Sequence, residues 1–330
     1  MTVDDIMSSI WGELPISAKF TSLQNSSSAQ HSTARLENPR DQYCVGETLN
    51  VMVEMRDYEG RPKKQGGDFI LARIHSSNLQ ASSSGYVTDL LNGSYRVSFT
   101  LFWPGDLRGV HLLGKISSHN NGKINYTGTF IDGNKTEESQ CGIRLDTDKA
   151  LCEYRKKEDG EYYACIKPQT LPCSSLQTMS SKNIQSQITV NETELLAQVP
   201  AGEGRSDVVV VIGVGQHFRP FPLEIFIQRL INIRQAILRL QARSPRALVV
   251  IKLENTRELS STMTHLSDWF GHVQNLAQRK VFGDLRVALV DAWEMSIAAD
   301  AFATHPNNIV VAREIAVALS HICHYGGLKL

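Results

Sequence analysis

No apolar run in this 330-residue chain approaches the roughly 18 residues that a membrane-crossing helix needs, so no membrane span is expected. Net charge is missing too. The 34 Lys and Arg balance the 34 Asp and Glu, which leaves no field favouring nucleic acid or an anionic membrane. Aromatic residues are not interleaved with basic runs, and a nucleic-acid role is not expected. None of the six cysteines forms a Cys-x-x-Cys pair, which argues against a zinc ribbon. The opening residues MTVDDIMSSIWGEL have neither the basic n-region nor the apolar core of a signal peptide, so any signal segment is expected to be absent from this chain. The Gly-rich GEGRS at 202–206 lacks the Walker pattern and precedes a strand-like run instead of a helix, which excludes a phosphate loop.

Against these absences stand five Asn-x-Ser/Thr sequons, at Asn25, Asn92, Asn125, Asn134 and Asn191. Each has a polar, turn-like setting that would present a glycan to solvent. All five precede residue 200, as do Cys44, Cys141, Cys152, Cys165 and Cys173; only Cys323 follows. This coincidence indicates a glycoprotein of the secretory pathway or extracellular space. Disulfides are then expected, although six cysteines allow 15 pairings and the spacing selects none.

Hydrophobic periodicity divides the chain into an α+β arrangement of several parts. Residues 1–30 are polar and Ser-rich and read as a disordered arm. Over 31–145, period-two runs such as LNVMVEM and SYRVSFTLFW alternate with the turn signals EGRPKKQGGD, LLNGSY and HNNGK, which predicts an immunoglobulin-like β-sandwich. Residues 146–205 carry cysteines but little periodicity, and read as a connector. From 206 to 330, the continuous apolar runs VVVVIGV, ALVVIKL and LRVALV alternate with amphipathic stretches. This is the grammar of a parallel sheet covered by helices. Three strands are few for such a domain, and an apolar sheet edge is expected to be left uncovered.

In a sheet of this kind chemistry gathers at the carboxyl ends of the strands. The first buried strand runs into Gly215, Gln216 and His217, with Arg219 close behind. These residues suit an oxyanion or substrate-orienting role, or equally a capped turn whose polar groups are satisfied. The last strand ends at Asp291, and Asp300 and His305 follow; a histidine there suits a general base oriented by an acid. His321 and His324 lie one helical turn apart without a third ligand at metal-binding spacing, so no metal site is expected. A serine nucleophile just after a buried strand is not found.

The segments PRDQYC, YRVSFTLFWPG, CIKPQTLPC, GQHFRPFPLEIF and DAWEMSIA resemble the NXPE family, which joins a neurexophilin-like module to a PC-esterase domain. That domain is similar to SGNH-type hydrolases and acyltransferases, so the resemblance implies a partial SGNH-like α/β domain at 206–330. It assigns Gly215, Gln216 and His217 to the oxyanion side, and His305, with Asp291 or Asp300, to the base. The family's Gly-Asp-Ser nucleophile block, which would lie between CIKPQTLPC and GQHFRPFP, is absent, and Phe302 stands where the superfamily's acid three residues before the histidine would be.

The resulting expectation is a shortened NXPE-type glycoprotein without a nucleophile, a pseudoenzyme needing no cofactor, with an extracellular protein or glycan as partner. The alternative implied by the resemblance is a sialic-acid O-acetyltransferase or O-acetylesterase, with acetyl-CoA as the acetyl donor in an active form.

Overall fold

The structure is a computed structural model describing residues 1–14, 22–105, 110–115, 126–142, 145, 147–155, 162–181, 196, 208–219, 221–257 and 267–326. It is α+β, with mostly antiparallel sheets, one small parallel sheet and, among the described residues, five α-helices.

The expected disordered arm opens instead as a helix, α1 (Val3–Glu13). The Thr2 hydroxyl accepts the Asp5 N–H at 3.2 Å, and the Asp5 carboxylate accepts the Thr2 N–H at 2.8 Å. This reciprocal capping box satisfies two of the donors left over at the helix start. Ile6 and Ile10 share one face and are buried in the largest core of the molecule. Averaging composition over thirty residues hid an apolar pattern only ten residues long.

Two antiparallel sheets follow. One contains β1 (Thr33–Leu36), β2 (Thr48–Glu54), β5 (Tyr86–Asp89) and β6 (Ser94–Thr100), in the order β1-β2-β6-β5. The other places β3 (Phe69–Ser76) between β4 (Ala81–Ser84) and β7 (Val110–Lys115). Both feed one core, which holds Val51 and Val53 of β2, Ile70, Ala72 and Ile74 of β3, and Tyr95, Val97 and Phe99 of β6. The alternation in LNVMVEM and SYRVSF is therefore the burial alternation of β2 and β6.

A third antiparallel sheet has the order β10-β11-β9-β8-β12. It contains β8 (Tyr126–Asp132), β9 (Lys135–Gly142), β10 (Leu151–Arg155), β11 (Tyr162–Ile166) and β12 (Leu176–Ser181). Three of its strands lie in 146–205, which was expected to be a connector. β10 and β11 show why no period was visible there, since their buried side chains are Cys152, Ala164 and Cys165. The polar β9, KTEESQCG, which was expected to belong to the sandwich, buries one side chain, Cys141. Disulfides supply much of what apolar alternation does not. Cys141 on β9 bonds its direct partner Cys165 on β11, and Cys152 bonds Cys173. Cys44 and Cys323 are free thiols.

The C-terminal part is the parallel sheet β13-β14-β15, formed by β13 (Val209–Gly213), β14 (Leu248–Lys252) and β15 (Ala288–Val290). Helices α2 (Leu223–Arg243) and α3 (Asp268–Phe282) cover the face that carries Ile212, Val249 and Ile251. After the short α4 (Ala292–Ala298), α5 (Asn308–Gly326) covers the other face, through Val317, Ala318 and Ile322.

These parts are fused by packing. One core joins α1, the disulfide-bonded sheet, α2, α3 and the parallel sheet. Tyr126 of β8 stacks on Phe221 just before α2, with ring centroids 5.9 Å apart. A smaller cluster places Phe69 and Leu71 of β3 against Trp293 and Ile297 of α4.

Candidate functional site

The carboxyl edge of the parallel sheet holds a concentration of buried polar groups. β13 ends at Gly213, Val214 and Gly215 follow it, and a 3-10 turn over Gln216–Phe218 leads to Pro222, the N-cap of α2. β14 continues into Leu253, Glu254, Asn255, Thr256 and Arg257, all buried.

Arg219 sits at the centre and is 1% exposed. Its Nη2 donates to the Asn255 carbonyl at 2.8 Å, its Nη1 lies 3.5 Å from Asp268 Oδ1, and its Nε lies 3.6 Å from Glu254 Oε2. Asp268, which opens α3, also accepts the Arg257 N–H at 2.7 Å. Burial pushes the Glu254 carboxyl above its usual range, with the Arg219 guanidinium opposing. Two glycines make room for this network. A Cβ on Gly215 would lie 2.3 Å from the Glu254 carboxyl, and one on Gly271 would lie 2.4 Å from Arg219 Nη2. A buried charge is tolerated only when it is paired and hydrogen-bonded, and here the backbone is shaped around the pair.

The network extends into neighbouring elements. Glu254 N–H donates to Asn275 Oδ1 of α3 at 2.8 Å, and the Thr256 hydroxyl donates to the Ala301 carbonyl at 2.9 Å. Arg257 Nη2 reaches Thr304 Oγ1 at 3.3 Å. The loop before α5 is thereby tied to the end of β14.

The residues singled out from the sequence are arranged differently. His217 and His305 are both exposed. Neither has a hydrogen-bond or ion-pair partner among the described residues. Gln216 Nε2 makes a long 3.5 Å contact with the Asn255 carbonyl, while its Oε1 is buried without a partner among the described residues. Asp291 is the N-cap of α4, accepting the Glu294 N–H at 3.3 Å, and it pairs with Arg279 of α3. Asp300, at positive φ, pairs with Arg73 of β3 at 2.7 Å. No contact among the described residues joins His305 to either acid, to His217 or to Gln216.

The sequence reading missed Glu254, Asn255, Arg257 and Asp268. The signal for the first three was present: LENTR follows the buried run ALVVIK, as GQHFR follows VVVVIGV. The same strand-end rule applies to both. The buried amides of α3, Gln274, Asn275 and Gln278, carried no such signal, because a polar residue on a helix reads as a surface residue.

A family model described as NXPE family member 4-like, C-terminal domain, matches residues 155–323, just over half of the chain. The chain belongs to the NXPE family. The matched segment begins within the disulfide-bonded sheet and runs through the Arg219 network to α5. The NXPE match thus takes in β11 and β12 of the antiparallel sheet and all three strands of the parallel sheet, and these two sheets share one core.

Among the described residues no three His, Cys, Asp or Glu side chains are placed to hold a metal ion. His321 is half-buried, and the His324 side chain lies outside the described residues. No helix of the described residues is long and apolar enough to cross a membrane. Asn25, Asn92 and Asn134 are exposed at turns, whereas Asn125 and Asn191 lie outside the described residues.

Proposed function

We propose that this chain is a non-catalytic, secretory-type NXPE glycoprotein that works by binding an extracellular protein or glycan. The observation that carries this reading is how the two candidate acids are committed. Asp291 is spent on Arg279 and on capping α4, and Asp300 on Arg73. A histidine acting as general base needs a partner that fixes its tautomer, and His305 faces solvent without one. The Arg219–Glu254–Asp268 group at the strand ends is buried, and its charges are paired with one another. Two disulfides and exposed sequons support the secretory route, and the two antiparallel sheets with a common core support a neurexophilin-like, immunoglobulin-type module as the binding part.

The test is purified protein incubated with O-acetylated sialoglycan, or with acetyl-CoA and an acceptor glycan, alongside labelling by a fluorophosphonate probe. The expected result is no turnover and no labelled serine. Turnover that disappears in His305→Ala would overturn the proposal and support O-acetyl transfer or hydrolysis.

A further inference from the structure

Three cysteines stand in a row across the disulfide-bonded sheet. On β11, Cys165 is directly opposite Cys141 of β9 on one side and directly opposite Cys152 of β10 on the other. Directly opposite residues of antiparallel strands point to the same face, with Cβ atoms about 4.5–5.5 Å apart. That face is the shared core, where Cys141, Cys152 and Cys165 are 2%, 1% and 0% exposed. Cys165 thus has two cross-strand neighbours and bonds one of them, Cys141, while Cys152 bonds Cys173. The spacing to Cys152 is within a small shift of the roughly 3.5–4.5 Å that a disulfide needs between Cβ atoms.

The fourth sulfur is placed differently. Cys173 is half-buried and opens the 3-10 turn Cys173–Ser175 that leads into β12. The Tyr154 hydroxyl of β10 donates to the Cys173 carbonyl at 2.6 Å and holds this turn against the sheet. Of the two bonds, Cys152–Cys173 alone offers an attacking thiolate a sulfur outside the buried row. The Cys141–Cys165 bond is packed close against β8 as well: a Cβ on Gly128 would lie 2.5 Å from Cys141 Sγ and 3.1 Å from Cys165 Sγ.

We propose that these four cysteines form a thiol–disulfide exchange relay entered at Cys173. An external thiolate attacks Cys173 Sγ, forms a mixed disulfide there and expels the Cys152 thiolate. Cys152 Sγ then attacks Cys165 Sγ, forming the Cys152–Cys165 bond and expelling the Cys141 thiolate, which takes up a proton. Each step breaks one S–S bond and forms another, so no oxidant is consumed. The cross-link moves along the row. It leaves β9 and the turn before β12, and ties β10 to β11 instead. The sheet therefore has two covalent states, selected by the thiols around it.

Disulfide mapping by mass spectrometry, after acid quenching and alkylation, tests this with glutathione as the probe. The full chain carries Cys44→Ser and Cys323→Ser, so that the two free thiols take no part. Its starting bonds are expected to be Cys141–Cys165 and Cys152–Cys173. Brief exposure to reduced glutathione should give glutathione on Cys173, a Cys152–Cys165 bond and an alkylated Cys141. Cys152→Ser removes the relay and should slow opening of Cys141–Cys165 at least tenfold. Cys173→Ser, without glutathione, should carry Cys152–Cys165 in at least a tenth of the molecules. Other starting bonds, glutathione first on Cys141 or Cys165, or glutathione on Cys173 with no Cys152–Cys165 bond would each overturn the proposal. So would unslowed opening in Cys152→Ser, or Cys165 bonded to Cys141 alone in Cys173→Ser. The glutathione arm leaves all four cysteines of the sheet in place, so it decides the matter even where a variant fails to fold.

Discussion

At the scale of single residues, His217 and Arg219 are separated by one phenylalanine and have opposite fates. His217 faces solvent, while Arg219 is enclosed by Glu254, Asp268 and the Gly271 backbone. Removing the arginine strands two buried carboxylates, and breaking a buried pair in this way costs about 3–5 kcal/mol. Arg219→Met should therefore lower unfolding free energy by that amount in urea titrations. His217→Ala should stay within about 0.5 kcal/mol of wild type, as an exposed side chain without partners does. A loss of several kcal/mol at His217, or none at Arg219, would contradict the assignment of structural weight. In GQHFRP the sequence marked the right turn, but nothing in it distinguished the exposed polar residue from the buried one. That distinction needs Glu254, thirty-five positions downstream.

Between residues and the whole molecule, the informative elements are those that dock across parts. α1 binds to α2 and α3 through Ile6 and Ile10, with Trp11 stacked on Trp269 at 6.1 Å. Ile10 is fully buried, so Ile10→Ala should cost about 2–5 kcal/mol. Thr2→Ala, which removes the capping hydroxyl, should cost about 1 kcal/mol. Denaturation curves with unchanged m-values would check both. The helix was legible after all, as Thr-x-x-Asp followed by Ile6 and Ile10.

The contact of β3 with α3 and α4 carries a pH signature. His272 lies between Phe69 and Trp293, and burial, assisted by Arg279, holds its pKa down to about 4. The unfolded chain takes up this proton near pH 6.5 and the folded one only near 4, so the unfolded state binds more protons in between. The stability from this residue is intact above pH 6.5 and is lost as pH falls toward 4. The total is on the order of 3 kcal/mol. Stability measured across this range should show a slope that His272→Gln flattens. An identical slope in both proteins would remove His272 as its source.

For the whole molecule, the disulfide-bonded sheet links the N-terminal strands to the NXPE-matched segment. Its polar strands bury little, so cross-links stand in for core. Replacing Cys141 and Cys165 together by alanine should cost about 2–5 kcal/mol. Because this sheet shares a core with α1 and the parallel sheet, that loss should also appear as faster proteolysis around α2. Cleavage confined to 126–181 would show instead that the shared core transmits nothing.

The sequence by itself determined what local periodicity and turn chemistry encode. The apolar alternation of β2 and β6, the continuous runs of β13 and β14, the 3.6-residue stripe of α2 and the family-bearing GQHFRPFP turn could all be read from one stretch at a time. Only the tertiary structure decided what depends on residues far apart in the chain. It paired Cys141 with Cys165, gave the polar strand β9 its neighbours, and drew Asp291 and Asp300 away to Arg279 and Arg73. It also closed Glu254 and Asp268 around Arg219. A buried charge is stable only with its partner in place, and one-dimensional patterns do not specify which distant residue that partner is.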